Sequence, residues 1–138
     1  MRPFTYSHNT IVLNYANANQ PMAHLWGANF REGILIARYW NGRWFGSAKL
    51  TLGERGFDFN TPEDNFYYGG DIYRDEGDRP FDTGVEIGQG NTTSVFIGEF
   101  QGGYLINPAT NLKVYGSVLF RDFTPDVDTA TEFASSST

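Results

Sequence analysis

The clearest signal along the chain is an alternation of apolar and polar positions. From Trp44 to Leu52 one set of positions reads Trp44, Gly46, Ala48, Leu50, Leu52, and the intervening set reads Phe45, Ser47, Lys49, Thr51. Ser94 to Ile106 repeats the pattern, with Phe96, Gly98, Phe100, Gly102, Tyr104 and Ile106 against Glu99 and Gln101. Leu112 to Phe120 repeats it again, with Leu112, Val114, Gly116, Val118 and Phe120 against Lys113, Tyr115, Ser117 and, further on, Arg121. Successive side chains of an extended chain point to opposite faces, so each segment predicts a strand with one apolar face. Asn29 to Trp40 predicts another, less regular because Ile34, Leu35 and Ile36 are all apolar. If Gly33, Leu35, Ala37 and Tyr39 form its apolar face, Glu32 and Arg38 share the polar one. Pro3 to His8 alternates weakly and is read as one more strand. No window longer than ten residues keeps a 3.6-residue period free of Gly or Pro, so helices are not expected.

The connections alternate between short and long. Trp40-Asn41-Gly42-Arg43 predicts a two-residue Asn-Gly hairpin with both central residues at positive φ. Asn107 to Asn111 predicts a second tight turn. Between the hairpins, Gly53 to Thr93 reads as one long loop with ten acidic and three basic residues, a net of −7 against −6 for the whole chain. Structureless connections of that length are uncommon inside compact domains. The stretch after Arg121 reads as a second long loop. The expected fold is all-β: a single domain over 1–138, an antiparallel up-and-down sheet of four or five strands.

A half-buried sheet in a soluble sandwich writes the same alternation. Three details favour part of a transmembrane β-barrel. Ten residues, as in 43–52, at about 3.3 Å each and tilted by about 40°, cross roughly 25 Å, the height of an outer-membrane apolar band. Aromatic residues (Tyr39, Trp40, Trp44, Tyr104, Phe120) cluster near strand ends, where an interfacial girdle wants them. Short turns also alternate with long polar loops, which places the acidic 53–93 loop on the extracellular side. In this arrangement Leu50, Leu52, Phe96, Phe100, Val114 and Val118 share one face, and Lys49, Glu99, Gln101 and Lys113 share the other.

Composition narrows the chemistry. Ten basic against sixteen acidic residues argue against a nucleic-acid partner. The absence of cysteine excludes a disulfide scaffold, a thiolate zinc site and a Cys nucleophile. Sixteen glycines, 17% aromatic and 19% charged residues fit strands and turns rather than helices or disorder. The longest apolar run, Ile34 to Ala37, is too short for a membrane helix, which leaves barrel strands untouched. The residues from Met1 to Tyr6 lack the features of a secretory signal, and the chain closes on Glu132 to Thr138 without a further element. The expectation is a fragment or a truncated reading frame.

No catalytic constellation stands out, and no enzyme activity, cofactor or metal is expected. His8 and His24 lack a ligand spacing. Ser7-His8 has no Gly-x-Ser-x-Gly elbow. Asp71 to Asp78 lacks the spaced ligands of a calcium loop, and Gly88-Gln89-Gly90 is followed by a strand rather than a helix. The stretch from Asn14 to Asn29 is richer. Asn14, Asn17, Asn19 and Gln20 with Tyr15, His24 and Trp26 offer amides and aromatic faces suited to sugar hydroxyls and rings. The same amides also suit the backbone of a loop folded into a lumen. Glu32, Arg38, Lys49, Glu99, Lys113 and Arg121 are expected to pair across a wet lumen.

The segment Asn19-Gln20-Pro21-Met22-Ala23-His24-Leu25-Trp26-Gly27-Ala28-Asn29-Phe30-Arg31-Glu32 resembles a segment of outer-membrane barrels in the capsule-assembly Wzi family, closest to its gliding-motility, RemB-like branch. Arg2 to His8, Tyr68 to Tyr73 and Gly84 to Asn91 are similar to stretches of the same family. The Leu25-Trp26 pair departs from it. The resemblance covers about Arg2 to Arg121 and implies the C-terminal part of a larger outer-membrane barrel. It further implies a link to surface-polysaccharide assembly or attachment, or to gliding motility. The implied partners are outer-membrane lipid, surface polysaccharide and other outer-membrane proteins. A soluble carbohydrate-binding β-sandwich, or an extracellular glycan-processing enzyme, is the alternative.

Overall fold

The structure is a computed structural model and describes residues 1–8, 10–18, 20–22, 24–128 and 136–137. The chain is all-β. Two-residue strands β1 (Ala16–Asn17) and β2 (Gln20–Pro21) pair with each other. Four long strands follow: β3 (Phe30–Asn41), β4 (Trp44–Phe57), β5 (Asn91–Asn107) and β6 (Leu112–Pro125). They form an antiparallel sheet in chain order, and β7 (Ser136–Ser137) adds a two-residue rung beside Asp122 and Phe123. Single 3₁₀ turns at Ile11–Leu13 and Glu76–Asp78 are the helical elements among the described residues. Among the described residues no strand joins β3 to the far side of the sheet, so the sheet is open and not closed into a barrel.

Register sorts the side chains into two faces. Leu35, Leu50, Gly98 and Phe120 lie side by side, as do Ala37, Ala48, Phe100 and Val118. This first face carries Gly33 to Tyr39, Trp44 to Leu52, Phe96 to Tyr104 and Val114 to Phe120 at alternate positions, with no charge among them. It stops at the Arg31–Glu54 ion pair (2.6 Å) and Asp122. The second face carries Glu32, Arg38, Ser47, Lys49, Thr51, Glu99, Gln101, Ser117 and Arg121, mixed with Ile34, Ile36 and Leu119. The alternation thus places every residue of the two expected sets as the sequence reading had them. Of the aromatic residues read as one girdle, Tyr39, Trp44, Tyr104 and Phe120 share the uncharged face, whereas Trp40 lies on the polar one.

Four expectations are corrected. Pro3 to His8 is not a strand: Phe4 and Tyr6 take left-handed φ of 59° and 76°, which coils the segment into turns. The first hairpin centres on Gly42-Arg43 rather than Asn41-Gly42, because Asn41 still pairs with Trp44. Only Gly42 has positive φ (59°), the pattern of a turn with glycine at its first central position. The long connection is shorter than 53–93, since β4 runs to Phe57 and β5 starts at Asn91. Gly53 blurs the strand in the sequence but belongs in it, because a Cβ there would meet the Trp26 ring at 2.8 Å and the Arg31 carbonyl at 2.7 Å. Finally, β6 continues to Pro125, past the Arg121 where the tail loop was expected to begin. The second turn is as read: Asn107 Oδ1 accepts from the Ala109 N–H (2.9 Å), and Asn111 sits at φ 53°.

Both hairpins lie at one end of the sheet, and residues 1–29 and 58–90 lie at the other. These long segments fold over the polar face. Thr51, Val95 and Thr93, all on that face, are buried. The buried set gathers here: Ala28, Phe30, Tyr67, Ile72 and Val95, with Asn14, Asn29, Asp58 and Asn91 among them.

Candidate functional site

The covered end of the polar face is assembled around Asn29. Its left-handed φ of 56° turns the chain into β3, and its side chain is fully buried. Nδ2 donates to the carbonyls of Gly56 (3.2 Å), Tyr68 (3.3 Å) and Gln89 (2.8 Å), and Oδ1 accepts from the Gly88 N–H (2.7 Å). One amide thereby ties the entry of β3, the end of β4, and both Tyr68 and the Gly88-Gln89 end of the 58–90 connection. Asn91 does the same for the other side, exchanging two hydrogen bonds with the Val127 backbone (2.9 and 3.0 Å).

The 58–90 connection carries most of the chain's acids yet has an interior of its own. Asp58 Oδ1 accepts from the Tyr68 N–H (2.7 Å), and its Oδ2 pairs with Arg74 (3.0 Å), which also donates to the Asn65 carbonyl (2.8 Å). Burial raises the Asp58 carboxyl above its usual 3.8, outweighing the opposing pull of the Tyr68 N–H and the Arg74 guanidinium. The Tyr67 hydroxyl is hydrogen-bonded to Ser7, its ring meets Phe4 edge-on at 5.1 Å, and burial pushes its phenol above the ordinary value. Tyr68 donates to Asp64 (2.8 Å) and is pushed up to about 12, first by burial and then by that carboxylate.

The sequence-predicted site residues are dispersed over this end rather than gathered in one pocket. Asn14 is buried, accepting from the His8 N–H (2.7 Å) and donating to the Ile72 carbonyl, so its amide serves the backbone. Tyr15 is half exposed and stacks on Tyr6 at 5.2 Å. Asn17 and Gln20 face each other in the β1–β2 pair, and Asn19 lies outside the described residues. His24 and Trp26 come together with Phe30, the His24 ring 4.3 Å from Phe30 and Trp26 5.5 Å from it. His24 Nδ1 accepts from the Trp26 N–H (3.1 Å), which leaves Nε2 to donate to Glu32 (2.8 Å). This His24–Glu32 contact carries the loops onto the polar face. Of the six charges expected to pair across that face, Lys49 and Glu99 do so directly, at 3.4 Å on adjacent strands.

Open depressions mark the sheet. One of about 470 Å³ lies where the uncharged face ends, between Arg31, Glu54, Ser94 and Asp122. Two more, of about 300 and 400 Å³, meet at Ser47 and reach Gln101 and Ser117 on one side and Arg38 and Trp40 on the other. Sequence reasoning missed this second area, because its residues come from all four long strands and only the register brings them together. Among the described residues, no three His, Asp or Glu side chains are placed to hold a metal ion. Among the described residues no helix is long and apolar enough to cross a membrane, which says nothing of strands. No protein-family model, no curated protein and no solved structure matches this chain.

Proposed function

We propose that this chain forms part of the wall of an outer-membrane β-barrel that serves surface-polysaccharide assembly or attachment, or cell-surface gliding motility, and catalyses no reaction. One contrast carries the reading. Thr51 is 6% exposed under the loops, while Leu52 beside it on the uncharged face is 58% exposed. A protein that folds in water covers its leucines and leaves its threonines wet. Here the loops cover the far end of the polar face, burying Thr51, Thr93 and Val95, and leave the apolar face bare, with Leu35 65% and Val118 67% exposed. Lipid is the solvent that suits such a face. The charge-free face of β4 from Trp44 to Leu52 rises about 26 Å along the strand, enough when tilted to cross most of an apolar band. Tyr39, Trp44 and Tyr104 at its hairpin end suit an interfacial girdle. The link to polysaccharide or motility is supported by the resemblance of Asn19 to Glu32 and its companion stretches.

The test uses the absence of native cysteine. Leu50→Cys and Val118→Cys on the uncharged face, and Ser47→Cys and Ser117→Cys on the other, are placed in the chain in its native outer membrane. A water-soluble maleimide is expected to label Ser47→Cys and Ser117→Cys and to leave the first pair unlabelled. Labelling of all four at equal rates removes the membrane reading. In the native cell, deletion of the reading frame is expected to release surface polysaccharide into the medium or to abolish surface motility. Retention of both removes the second half of the proposal.

A further inference from the structure

Near the hairpin end, the polar face carries an aromatic row that a lipid girdle does not explain. Trp40, Phe45, Gly103 and Tyr115 are side by side across β3 to β6. Trp40 and Phe45 stack at 5.6 Å with their planes 23° apart, and Trp40 Nε1 donates to the Gly42 carbonyl at 3.1 Å, which holds the indole in place. Gly103 keeps the row continuous, because any Cβ there would run into the Phe45 ring and come within 2.7 Å of Tyr115 Cβ. Trp40 is 67% and Tyr115 58% exposed. Three strand spacings separate Trp40 from Tyr115, about 14 Å.

The next row on the same face is polar on every strand: Arg38, Ser47, Gln101 and Ser117. It supplies a guanidinium, two hydroxyls and an amide along the aromatic strip, and the two depressions that meet at Ser47 lie over it. The charge of the strip is one-sided. Lys49 and Glu99 satisfy each other at 3.4 Å, whereas Arg38 and Lys113 have no carboxylate within ion-pair distance among the described residues. The Lys113 ammonium stands 5.9 Å from the Phe45 ring centre, at the rim of the row.

We propose that this strip binds an acidic oligosaccharide. Flat aromatic faces take the apolar faces of sugar rings, and hydroxyls and amides take the sugar hydroxyls. Arg38 takes a ring carboxylate through two parallel N–H bonds, with Lys113 as a second positive charge. A strip about 14 Å long suits a chain of sugars rather than a single ring. The inference rests on the proposed reading in one respect only, that the polar face borders water.

The test is isothermal titration calorimetry of the full chain in detergent micelles, with a galacturonate hexamer as the acidic probe and maltohexaose as its neutral counterpart. The galacturonate hexamer is expected to bind about tenfold more tightly than maltohexaose and to weaken as salt is raised. Trp40→Ala should cost about tenfold in affinity, whereas Trp44→Phe, on the opposite face, leaves it unchanged. Arg38→Gln, an exposed substitution that keeps the stem of the side chain, removes the preference for the acidic probe. Absence of heat with the galacturonate hexamer at millimolar concentration overturns the proposal. So does equal affinity for the two probes, or an unchanged Trp40→Ala. If binding fails while Leu50→Cys stays protected by lipid, only this strip assignment falls. If Leu50→Cys labels freely while the strip binds, only the membrane reading falls.

Discussion

Single side chains at the loop end carry connections that no run of sequence could specify. Asn29 makes contacts with Gly56, Tyr68, Gly88 and Gln89, which are 27 to 60 positions away. Asn29→Ala leaves three carbonyls and one N–H without this partner, a loss of about 2–4 kcal/mol, and puts a Cβ-bearing apolar residue at φ 56°, at about 1–2 kcal/mol more. Asn29→Gly should recover only the second part. Hydrogen exchange at the Gly56 amide, which donates to the Asn29 carbonyl at 2.9 Å, reads both; equal exchange in Asn29→Ala and the unaltered chain would discard Asn29 as the tie. Tyr67 and Tyr68 give this end an alkaline limit. Both phenols are raised above their usual 10.0, chiefly by burial, so the folded state favours the neutral form. Their contribution is fully present below pH 10 and is lost as pH rises through the folded values, which for Tyr68 is about 12. Near-ultraviolet circular dichroism is expected to show the loop end loosening over that interval, and Tyr67→Phe with Tyr68→Phe to flatten the change. An unchanged alkaline profile in the double variant assigns the loss elsewhere.

Within the strands, neighbouring glycines differ entirely in what surrounds them. Gly102 lies on the uncharged face beside Gly46 and Gly116, with nothing within 4 Å of a Cβ added to it. Gly103, one residue on and on the other face, is hemmed in by Phe45, the Val114 carbonyl (2.6 Å) and Tyr115. Gly102→Ala is therefore expected to stabilise the sheet by about 0.5–1 kcal/mol through the entropy of the unfolded chain. Gly103→Ala should destabilise it and displace Phe45. Urea unfolding of both in detergent decides this, and effects of the same sign would contradict the assigned faces. At this scale the sequence was largely readable. Alternation is local, so the four long strands, their two faces and the second turn follow from residues next to one another. The first turn slipped by one position because Asn41-Gly42 is a strong hairpin signal that pairing of Asn41 with Trp44 overrode. The strand ends at Phe57 and Asn91 were hidden by Gly53, Gly56 and Thr92-Thr93, residues whose place in a strand depends on what approaches them. The site was legible only in pieces. His24 and Trp26 meet beside Glu32, whereas Asn14 turned inward, and the Trp40–Phe45–Tyr115 strip needs the register of all four strands before it exists.

Taken whole, the molecule has a well-tied loop end and a sheet with little to hold it in water. Among the described residues, the outer edge of β3 beyond Phe30, where the Met1 backbone bonds to it (3.1 Å), pairs with no strand, and β6 is covered only at Asp122 and Phe123. Such edges template pairing with other chains. The uncharged face presents Leu35, Leu52, Phe100, Val114 and Val118 together, each at least 49% exposed, a continuous apolar patch of the kind soluble monomers avoid. Single-chain outer-membrane barrels close with about eight strands or more, and four long strands supply half of that number. The 138-residue chain by itself is therefore expected to aggregate in plain buffer and to become dispersed in detergent, where micelle contact covers the uncharged face. Charge placement should discriminate further. Val118→Lys puts an ammonium in the middle of that face. In lipid it should cost about 2–4 kcal/mol, while in water it should improve solubility. Lys on the other face, at Ser117, should do neither. Gel filtration with and without detergent reads the first expectation, and bilayer insertion of the two lysine variants reads the second. A sharp monomer peak without detergent, joined to cooperative thermal unfolding and equal insertion of Val118→Lys and Ser117→Lys, would establish a self-sufficient soluble domain. The bare face would then have to find its cover in another protein layer instead of a membrane.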